Sequence, residues 1–168
     1  LARGTVDDIF GSEMSIQAGN NTYLNGDISL TGLPDINKTF IDFKANSLHT
    51  TYADASTFFP GIRKISTPRL QSISYLDFNG NFTGFIKDFV TYGTIRTNLG
   101  TITSDLNMKL PDGKQPFYSG KIASQNFNLG QFLNNSEIGT ISFAGEVKGR
   151  GIIWNTISAE LDGDIYQL

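Results

Sequence analysis

Residues 76–86 read Leu-Asp-Phe-Asn-Gly-Asn-Phe-Thr-Gly-Phe-Ile. Apolar residues and glycines take every second position of this stretch, and Asp, Asn and Thr take most of the positions between them. Side chains of a β-strand point alternately to the two faces of a sheet, so the alternation predicts a strand with one apolar and one polar face. One-sided strands of this kind are typical of antiparallel sheets, whereas strands of buried parallel sheets are apolar throughout.

The same alternation recurs in four other stretches, which are residues 23–32, 100–110, 141–153 and 157–165. Each of them sets apolar residues and glycines against polar residues at period two. The sequence therefore predicts a mainly β fold that is built from antiparallel strands, each with one solvated face.

A five-residue phrase, apolar-x-Gly-x-apolar, recurs along the chain with Gly26, Gly80, Gly120, Gly145 and Gly163 at its centres. In every copy the glycine shares the apolar face. Glycine inside a strand commonly marks a bend or a close approach by another group. Two interpretations therefore stay open: the glycines bend the sheet so that it wraps its own core, or they leave dents in an apolar face where an acyl chain can lie.

The central glycines follow one another at intervals of 54, 40, 25 and 18 residues. A solenoid would keep a fixed period, so the uneven spacing predicts a long meander of strands. Two short helices are predicted at residues 54–62 and 129–133, the second with Asn128 as its N-cap. No change of composition marks a domain boundary, and residues 1–168 are expected to form a single segment.

The composition argues against several kinds of partner. The formal net charge is −3 and no basic stripe is present, which argues against nucleic acid. Nor does the sequence show a cluster of Lys and Arg that would hold an anionic membrane surface. The chain has no cysteine, which excludes disulfides and thiolate metal sites. No apolar run reaches the roughly 18 residues of a membrane span, so we expect any membrane anchor to lie outside this chain.

Residue types that carry catalysis are sparse. His49 is the only histidine, no G-x-S-x-G motif accompanies it, and an ordinary surface histidine is the expected role. Asp162 and Asp164 lie on the polar face of a predicted strand, where solvated carboxylates are the usual case, and they lack the ligand pattern of an EF-hand calcium loop. We expect no catalytic residue, no metal site and no cofactor.

Three stretches carry a resemblance to a known family: residues 27–36 (DISLTGLPDI), residues 78–110 (FNGNFTGFIKDFVTYGTIRTNLGTITSDLNMKL) and residues 118–133 (YSGKIASQNFNLGQFL). With the style of repeat over residues 5–165, they resemble TamB-like proteins of the AsmA-like, bridge-type lipid-transfer group of Gram-negative envelopes. The resemblance implies a curved antiparallel sheet that forms a half-open groove, or β-taco, with an apolar concave face. It also implies a place in the periplasm, with anchorage to the inner membrane through a region outside this chain.

The resemblance further implies a function. Members of the group are implicated in phospholipid transport to the outer membrane, and TamB also in the assembly of outer-membrane β-barrel proteins with a barrel partner. On this resemblance the chain is an internal, non-enzymatic segment, and its partners are phospholipid acyl chains and an outer-membrane β-barrel protein of the assembly family. The residues predicted to line the groove are Leu24, Ile28, Phe78, Phe82, Ile102, Leu106, Met108, Phe143, Val147, Leu161 and Ile165.

Two other classes of protein stay open. An extracellular β-sandwich adhesin or carbohydrate-binding module would have two sheets closed over one core and aromatic residues on its loops, whereas most Phe here lies on the apolar faces of strands. A β-helical polysaccharide hydrolase is disfavoured by the uneven spacing and by the lack of an evident carboxylate constellation. A closed, dry core would favour the sandwich, and an open sheet would favour the groove.

Overall fold

A computed structural model describes residues 2–5, 7–66, 68–151 and 158–167. These residues form one antiparallel sheet of ten strands, and the order of the strands in the sheet follows their order in the chain. The strands are β1 (Ala2–Gly4), β2 (Asp8–Ala18), β3 (Thr22–Thr31), β4 (Phe40–Thr51), β5 (Tyr75–Phe85), β6 (Asp88–Thr97), β7 (Gly100–Lys109), β8 (Phe117–Asn128), β9 (Thr140–Arg150) and β10 (Ser158–Gln167). The sheet is not closed into a barrel, so the predicted mainly β, half-open antiparallel fold is confirmed.

The alternating stretches coincide with strands of the sheet. The predicted strands at residues 23–32, 76–86 and 100–110 correspond to β3, β5 and β7. Those predicted at 141–153 and 157–165 correspond to β9 and β10, whose described parts end at Arg150 and begin at Ser158. Residues 152–157, which include the ends of those two predictions, lie outside the described residues.

Four of the described strands contain a bulge, which inserts an extra residue and changes the phase of the alternation. In β2 the register shifts between Gly11 and Met14, in β4 after Ala45, in β8 after Ser124, and in β10 between Ile165 and Gln167. Two of the bulges contain a non-glycine residue with a φ of 50°, and one of these is Glu13. The bulges keep apolar side chains on one face even where strict period-two alternation fails.

The described parts of the connections contain two short helices, α1 (Tyr52–Phe58) and α2 (Leu129–Leu133), and two 3₁₀ turns, Pro60–Lys64 and Leu70–Ser72. The predicted bounds of α2 are confirmed, and the Asn128 side chain accepts a hydrogen bond of 2.9 Å from the backbone N–H of Gln131. The helix predicted at 54–62 is confirmed with different bounds. It ends at Phe58 because Pro60 disfavours helical geometry at the residue before it, and the chain continues there as a 3₁₀ turn.

The β4–β5 connection and the β8–β9 connection, residues 52–74 and 128–139, form a cap over one end of the sheet. Within the cap, the backbone N–H of Arg69 donates to the carbonyl of Phe132 at 2.7 Å. The side chain of Asn98, in the β6–β7 turn, accepts from the backbone of the cap at 2.8 Å. These bonds hold the cap against the ends of the strands.

The fully buried apolar side chains among the described residues are few: Ala45, Leu99 and Phe127. Leu99 and Phe127 lie at the capped end, where the ring of Phe127 meets that of Phe132 edge to face at 5.5 Å between centroids. The hydrophobic core thus sits under the cap, and the rest of the sheet has no second layer of strands packed on it in the described residues. None of the helices there has the length and apolar character that crossing a bilayer requires.

Candidate functional site

The apolar face of the sheet is organised as rows of residues that are register partners across successive strands. The central ladder runs from β2 to β10 through Ile16, Leu24, Leu48, Phe78, Ile95, Ile102, Ser124, Phe143 and Ile165. Neighbouring strands lie about 4.8 Å apart, so this ladder is roughly 38 Å long. Only Ser124 interrupts its apolar character.

Two further apolar rows run parallel to the central ladder. The second ladder consists of Gly11, Ile28, Phe43, Phe82, Thr91, Leu106, Gly120, Val147 and Leu161. The third ladder consists of Ile9, Leu30, Ile41, Gly84, Phe89, Met108, Tyr118, Gly149 and Ala159. Both follow the same nine strands, so the apolar surface is continuous in two directions.

The recurring glycines align between the central and the second ladder. This glycine row consists of Met14, Gly26, Ala45, Gly80, Gly93, Ser104, Ile122, Gly145 and Gly163. Four of the five glycines of the repeated phrase fall in it, and Gly120 falls in the second ladder. The row is a furrow of mostly small residues between two ridges of bulky ones.

Side chains of the protein itself fill part of the furrow. A Cβ atom at Gly80 or at Gly93 would lie 2.9 Å from the ring of Phe78, so this ring covers both glycines. Towards β10, in contrast, the nearest atoms to a Cβ at Gly145 or Gly163 belong to neighbouring backbone. The dents expected from the sequence are therefore occupied at β5 and β6, while no side chain comes as close over the furrow at β9 and β10.

All eleven residues predicted to line the groove lie on this face. Five are in the central ladder, five in the second ladder, and Met108 is in the third. Leu161 and Ile165, on β10, are exposed by 43% and 52%, and the other nine are half-buried. Contact of these residues with lipid stays a prediction.

The predicted lining omitted the apolar residues of four strands, among them Ile16 in β2, Leu48 in β4, Ile95 in β6 and Ile122 in β8. In β2 and β4 the bulge moves the apolar residues from odd to even numbers along the strand. Such a bulge can be recognised in the sequence as two short alternating runs of opposite phase, such as Ile41-x-Phe43-x-Ala45 followed by Leu48.

The three ladders and the glycine row contain no Asp, Glu, Lys or Arg. Their one ionisable side chain is Tyr118, whose ring lies against Gly149 in β9, 2.7 Å from the position that a Cβ would take there. Burial raises the pKa of the Tyr118 hydroxyl above its usual value. The face is thus a charge-free surface of about nine strands, and its side chains bury one another laterally.

The opposite face carries the charges. Asp105, Lys121, Glu146 and Asp162 are register partners on successive strands from β7 to β10, and all four side chains are exposed. Asp162 is thus exposed on the polar face of β10, as the sequence predicted. Its register partner is a second acidic residue, Glu146. Among the described residues, no group of three or more His, Asp or Glu side chains is arranged to hold a metal ion.

His49 lies on the polar face, half-exposed, and forms a pair that the sequence did not predict. Its Nδ1–H donates to the Oδ1 of Asp77 at 2.6 Å, because β4 and β5 place the two residues opposite each other. The rings of Tyr23 and Tyr75 lie 6.4 Å and 6.3 Å from the imidazole. Within the described part of the chain His49 has no hydrogen bond to a hydroxyl, so the pair lacks the nucleophile of a catalytic triad.

Open depressions of a few hundred cubic ångströms accompany the polar face. One of about 340 Å³ is lined mainly by β7–β10 residues, with Lys109, Lys148 and Arg150 among them. Another, of about 310 Å³, includes Val147 and Leu161 of the second ladder. The apolar face itself is best described as an extended surface, because its rows continue across nine strands.

The chain matches no protein-family model, and comparisons with curated proteins and with solved structures find no match either.

Proposed function

We propose that this chain is a non-enzymatic segment of a TamB- or AsmA-like envelope protein, and that its apolar face holds phospholipid acyl chains in transit between the inner and the outer membrane. The observation that supports the proposal is the set of charge-free ladders that cross nine strands without a second layer over them. A surface of this size in contact with water is costly, since burial of apolar area is the main favourable term in folding and association.

The energetics of such a surface suit transport. Each CH₂ group that moves from water to the ladders gains about 0.8 kcal/mol, and the gain is spread over many similar contacts. One acyl chain spans about half of the roughly 30 Å hydrocarbon core of a bilayer, whereas the central ladder is roughly 38 Å long. A bound chain can therefore shift along the ladder and replace one set of contacts by an equivalent one.

The other parts of the proposal follow from the family resemblance. The chain acts in the periplasm as part of a longer protein that is anchored in the inner membrane. Lipid head groups stay in water beside the rim of the apolar face. An outer-membrane β-barrel protein of the assembly family is a further partner, which the open edges of the sheet would suit because unpaired strands pair readily with other strands.

The alternative of an extracellular adhesin or carbohydrate-binding module rests on a β-sandwich. A sandwich needs two sheets over one core, and the strands in the described residues belong to one sheet. No specific observation favours this alternative.

The first experiment is native mass spectrometry of protein purified without detergent, with a lysine placed on either face. Leu106→Lys and Phe143→Lys put a charge into the second and the central ladder, and Asn107→Lys is the matched control on the polar face of β7. We expect phospholipid on the wild type and on Asn107→Lys, and its loss from the other two variants while circular dichroism shows them folded. Wild-type protein free of phospholipid, with unfolded ladder variants, would show that these residues are only core.

A second experiment avoids buried positions. A photo-crosslinking amino acid replaces Ile165, which is exposed on the apolar face of β10, or Glu160, which is exposed on the polar face of the same strand. Crosslinks to phospholipid at position 165 and not at 160 are expected. Equal labelling at both positions would contradict a lipid path along the ladders.

A further inference from the structure

Residues 58–65 of the cap, which we call the tip, expose three large apolar side chains. Phe58 and Phe59, at the junction of α1 and the following 3₁₀ turn, are exposed by 43% and 68%, and Ile65 by 40%. In the described part of the chain neither phenylalanine ring packs on another aromatic ring. Three large apolar side chains within eight residues thus face solvent at one end of the sheet.

The same segment is basic in an acidic protein. Residues 55–76 contain no Asp or Glu and include Arg63, Lys64 and Arg69, which leaves ten basic against sixteen acidic residues elsewhere. Arg63 and Lys64 are exposed and form no ion pair with a described residue. The sequence predicted no cluster of this kind, but Arg63 and Lys64 are exposed a few residues beyond Phe59. Arg69 is exposed as well, and its guanidinium donates to the Oδ1 of Asn134 at 3.1 Å.

The helix α1, which precedes the tip, is hydrogen-bonded to the β2–β3 turn of the sheet. The carboxylate of Asp54, in the first turn of α1, accepts hydrogen bonds from the backbone N–H groups of Asn20 and Asn21 at 3.1 and 2.7 Å. Phe59 donates its N–H to the carbonyl of Ala55 at 2.8 Å. The carboxylate nearest to the tip in the sequence is therefore engaged in the β2–β3 turn, and the tip presents its apolar and basic groups from a fixed base.

We propose that the cap docks on an anionic lipid bilayer. The rings of Phe58 and Phe59 insert at the level of the head groups, and Arg63, Lys64 and Arg69 lie against lipid phosphates. Exposed aromatic and apolar side chains beside Lys and Arg are the pattern of interfacial membrane segments, and cations near an anionic leaflet strengthen binding additively. The positive charge of this segment, which is opposite to the net charge of the rest of the chain, favours an anionic bilayer as the partner.

The docking surface shares no residue with the ladders or the glycine row, so it stands independently of acyl-chain transport. If both hold, the membrane-facing end of the strands is the end that carries the cap. A sheet that docks there has a bilayer beside its apolar face, from which lipids could enter.

The test is co-sedimentation of the whole chain with vesicles of pure phosphatidylglycerol and of pure phosphatidylcholine. We expect stronger binding to phosphatidylglycerol, a roughly fivefold loss of affinity for each cation removed in Arg63→Gln/Lys64→Gln, and a loss on both vesicles for Phe58→Ser/Phe59→Ser. Matched controls are Lys114→Gln/Lys121→Gln, which removes two exposed cations elsewhere, and Phe10→Ser, which removes an exposed ring of β2; both should bind as the wild type does.

A second measurement reports the depth of the tip. Phe59→Trp should show a blue shift of tryptophan emission on addition of phosphatidylglycerol vesicles, and Phe10→Trp should not, with Trp154 as the common background. Equal binding by all variants, or no binding by the wild type, would overturn the proposal. Binding to soluble polyglutamate but to neither vesicle would also overturn it and would assign the cap to an acidic protein partner.

Because the cap and the ladders are separate, the two proposals fail separately. Cap variants that no longer sediment but still carry phospholipid in native mass spectrometry support docking at the cap. Ladder variants that still sediment with vesicles but carry no phospholipid also support docking at the cap. Sedimentation that is lost in the ladder variants and retained in the cap variants would overturn docking at the cap.

Discussion

Gly80 and Gly93 lie opposite each other on β5 and β6, and the ring of Phe78 covers both. A Cβ atom at Gly93 would lie 2.7 Å from the Cα of Gly80 and 2.9 Å from the ring. The paired glycines thus let two backbones and an aromatic ring approach closely, and the ring shields backbone that would otherwise face water on the apolar side.

Gly93→Ala should lower the free energy of unfolding by about 2–3 kcal/mol, because either the ring or the neighbouring backbone must move. The measurement is urea denaturation followed by circular dichroism. Gly139→Ala is the matched control, since a Cβ at Gly139 meets nothing within 4 Å, and it should change stability by less than about 0.5 kcal/mol. Equal effects of the two substitutions would contradict the close approach.

Stability should depend on Asp54 in a pH-dependent way. The hydrogen bond from the Asn21 backbone, together with those from the Asn20 backbone and the Thr22 hydroxyl, holds the pKa of the Asp54 carboxyl below its usual value of 3.8, although burial acts the other way. Since the pKa is lower in the folded than in the unfolded chain, the ionised carboxylate stabilises the fold above that usual value. The contribution is lost as the pH falls through the lowered pKa.

The wild type should therefore have a higher urea midpoint than Asp54→Asn at pH 7, and the gap should narrow as the pH falls below about 4. Asp112→Asn removes an exposed carboxylate that pairs with Lys87, and it should show little gap at either pH. A gap for Asp54→Asn that is constant over this range would mean that its loss of stability does not come from the charge.

The N-cap of α2 offers a test of local structure. Asn128→Ala removes the side-chain oxygen that accepts from the Gln131 backbone, and a loss of about 1 kcal/mol is expected. Asn128→Asp keeps an acceptor at that place and should retain most of the stability. A loss of the same size in both variants would assign the role of Asn128 to its NH₂ group, and denaturant unfolding distinguishes the cases.

Tyr118 should make the protein sensitive to alkali. Burial raises the pKa of its hydroxyl above the usual 10.0, so its contribution to stability is complete below that value and declines as the pH rises through the raised pKa. Tyr118→Phe keeps the ring over Gly149 but cannot ionise. The unfolding midpoints of the two proteins should agree at pH 7 and diverge above about pH 10, with the wild type falling faster; parallel curves would contradict the assignment.

The fold class could be predicted because five strands keep the alternation over most of their length, as β5 does from Leu76 to Gly84. The helix α2 could be predicted because Asn128 supplies a cap in the sequence itself. The bulged strands β2 and β4 could not be predicted by the same rule. Glu13, with a φ of 50°, occupies such a bulge, and a period-two pattern loses its phase there.

The alignment of the glycines in one row could not be predicted from the sequence either. Gly26 and Gly80 are 54 residues apart, yet they stand in one row, because Ala45 of β4 is the register partner of both. The His49–Asp77 pair was missed for a related reason, since only the strand register brings these two residues together. Register depends on bulges and loop lengths, which one sequence specifies only weakly.

Every strand pairs with the strands next to it in the chain, which makes the β-hairpin a unit of length. A hairpin added to or removed from such a sheet leaves all other pairings in place and changes the apolar path by about 10 Å, twice the spacing of neighbouring strands. The length of the apolar surface can therefore change in steps of one hairpin, while the pairing of the other strands and the width of the surface stay the same.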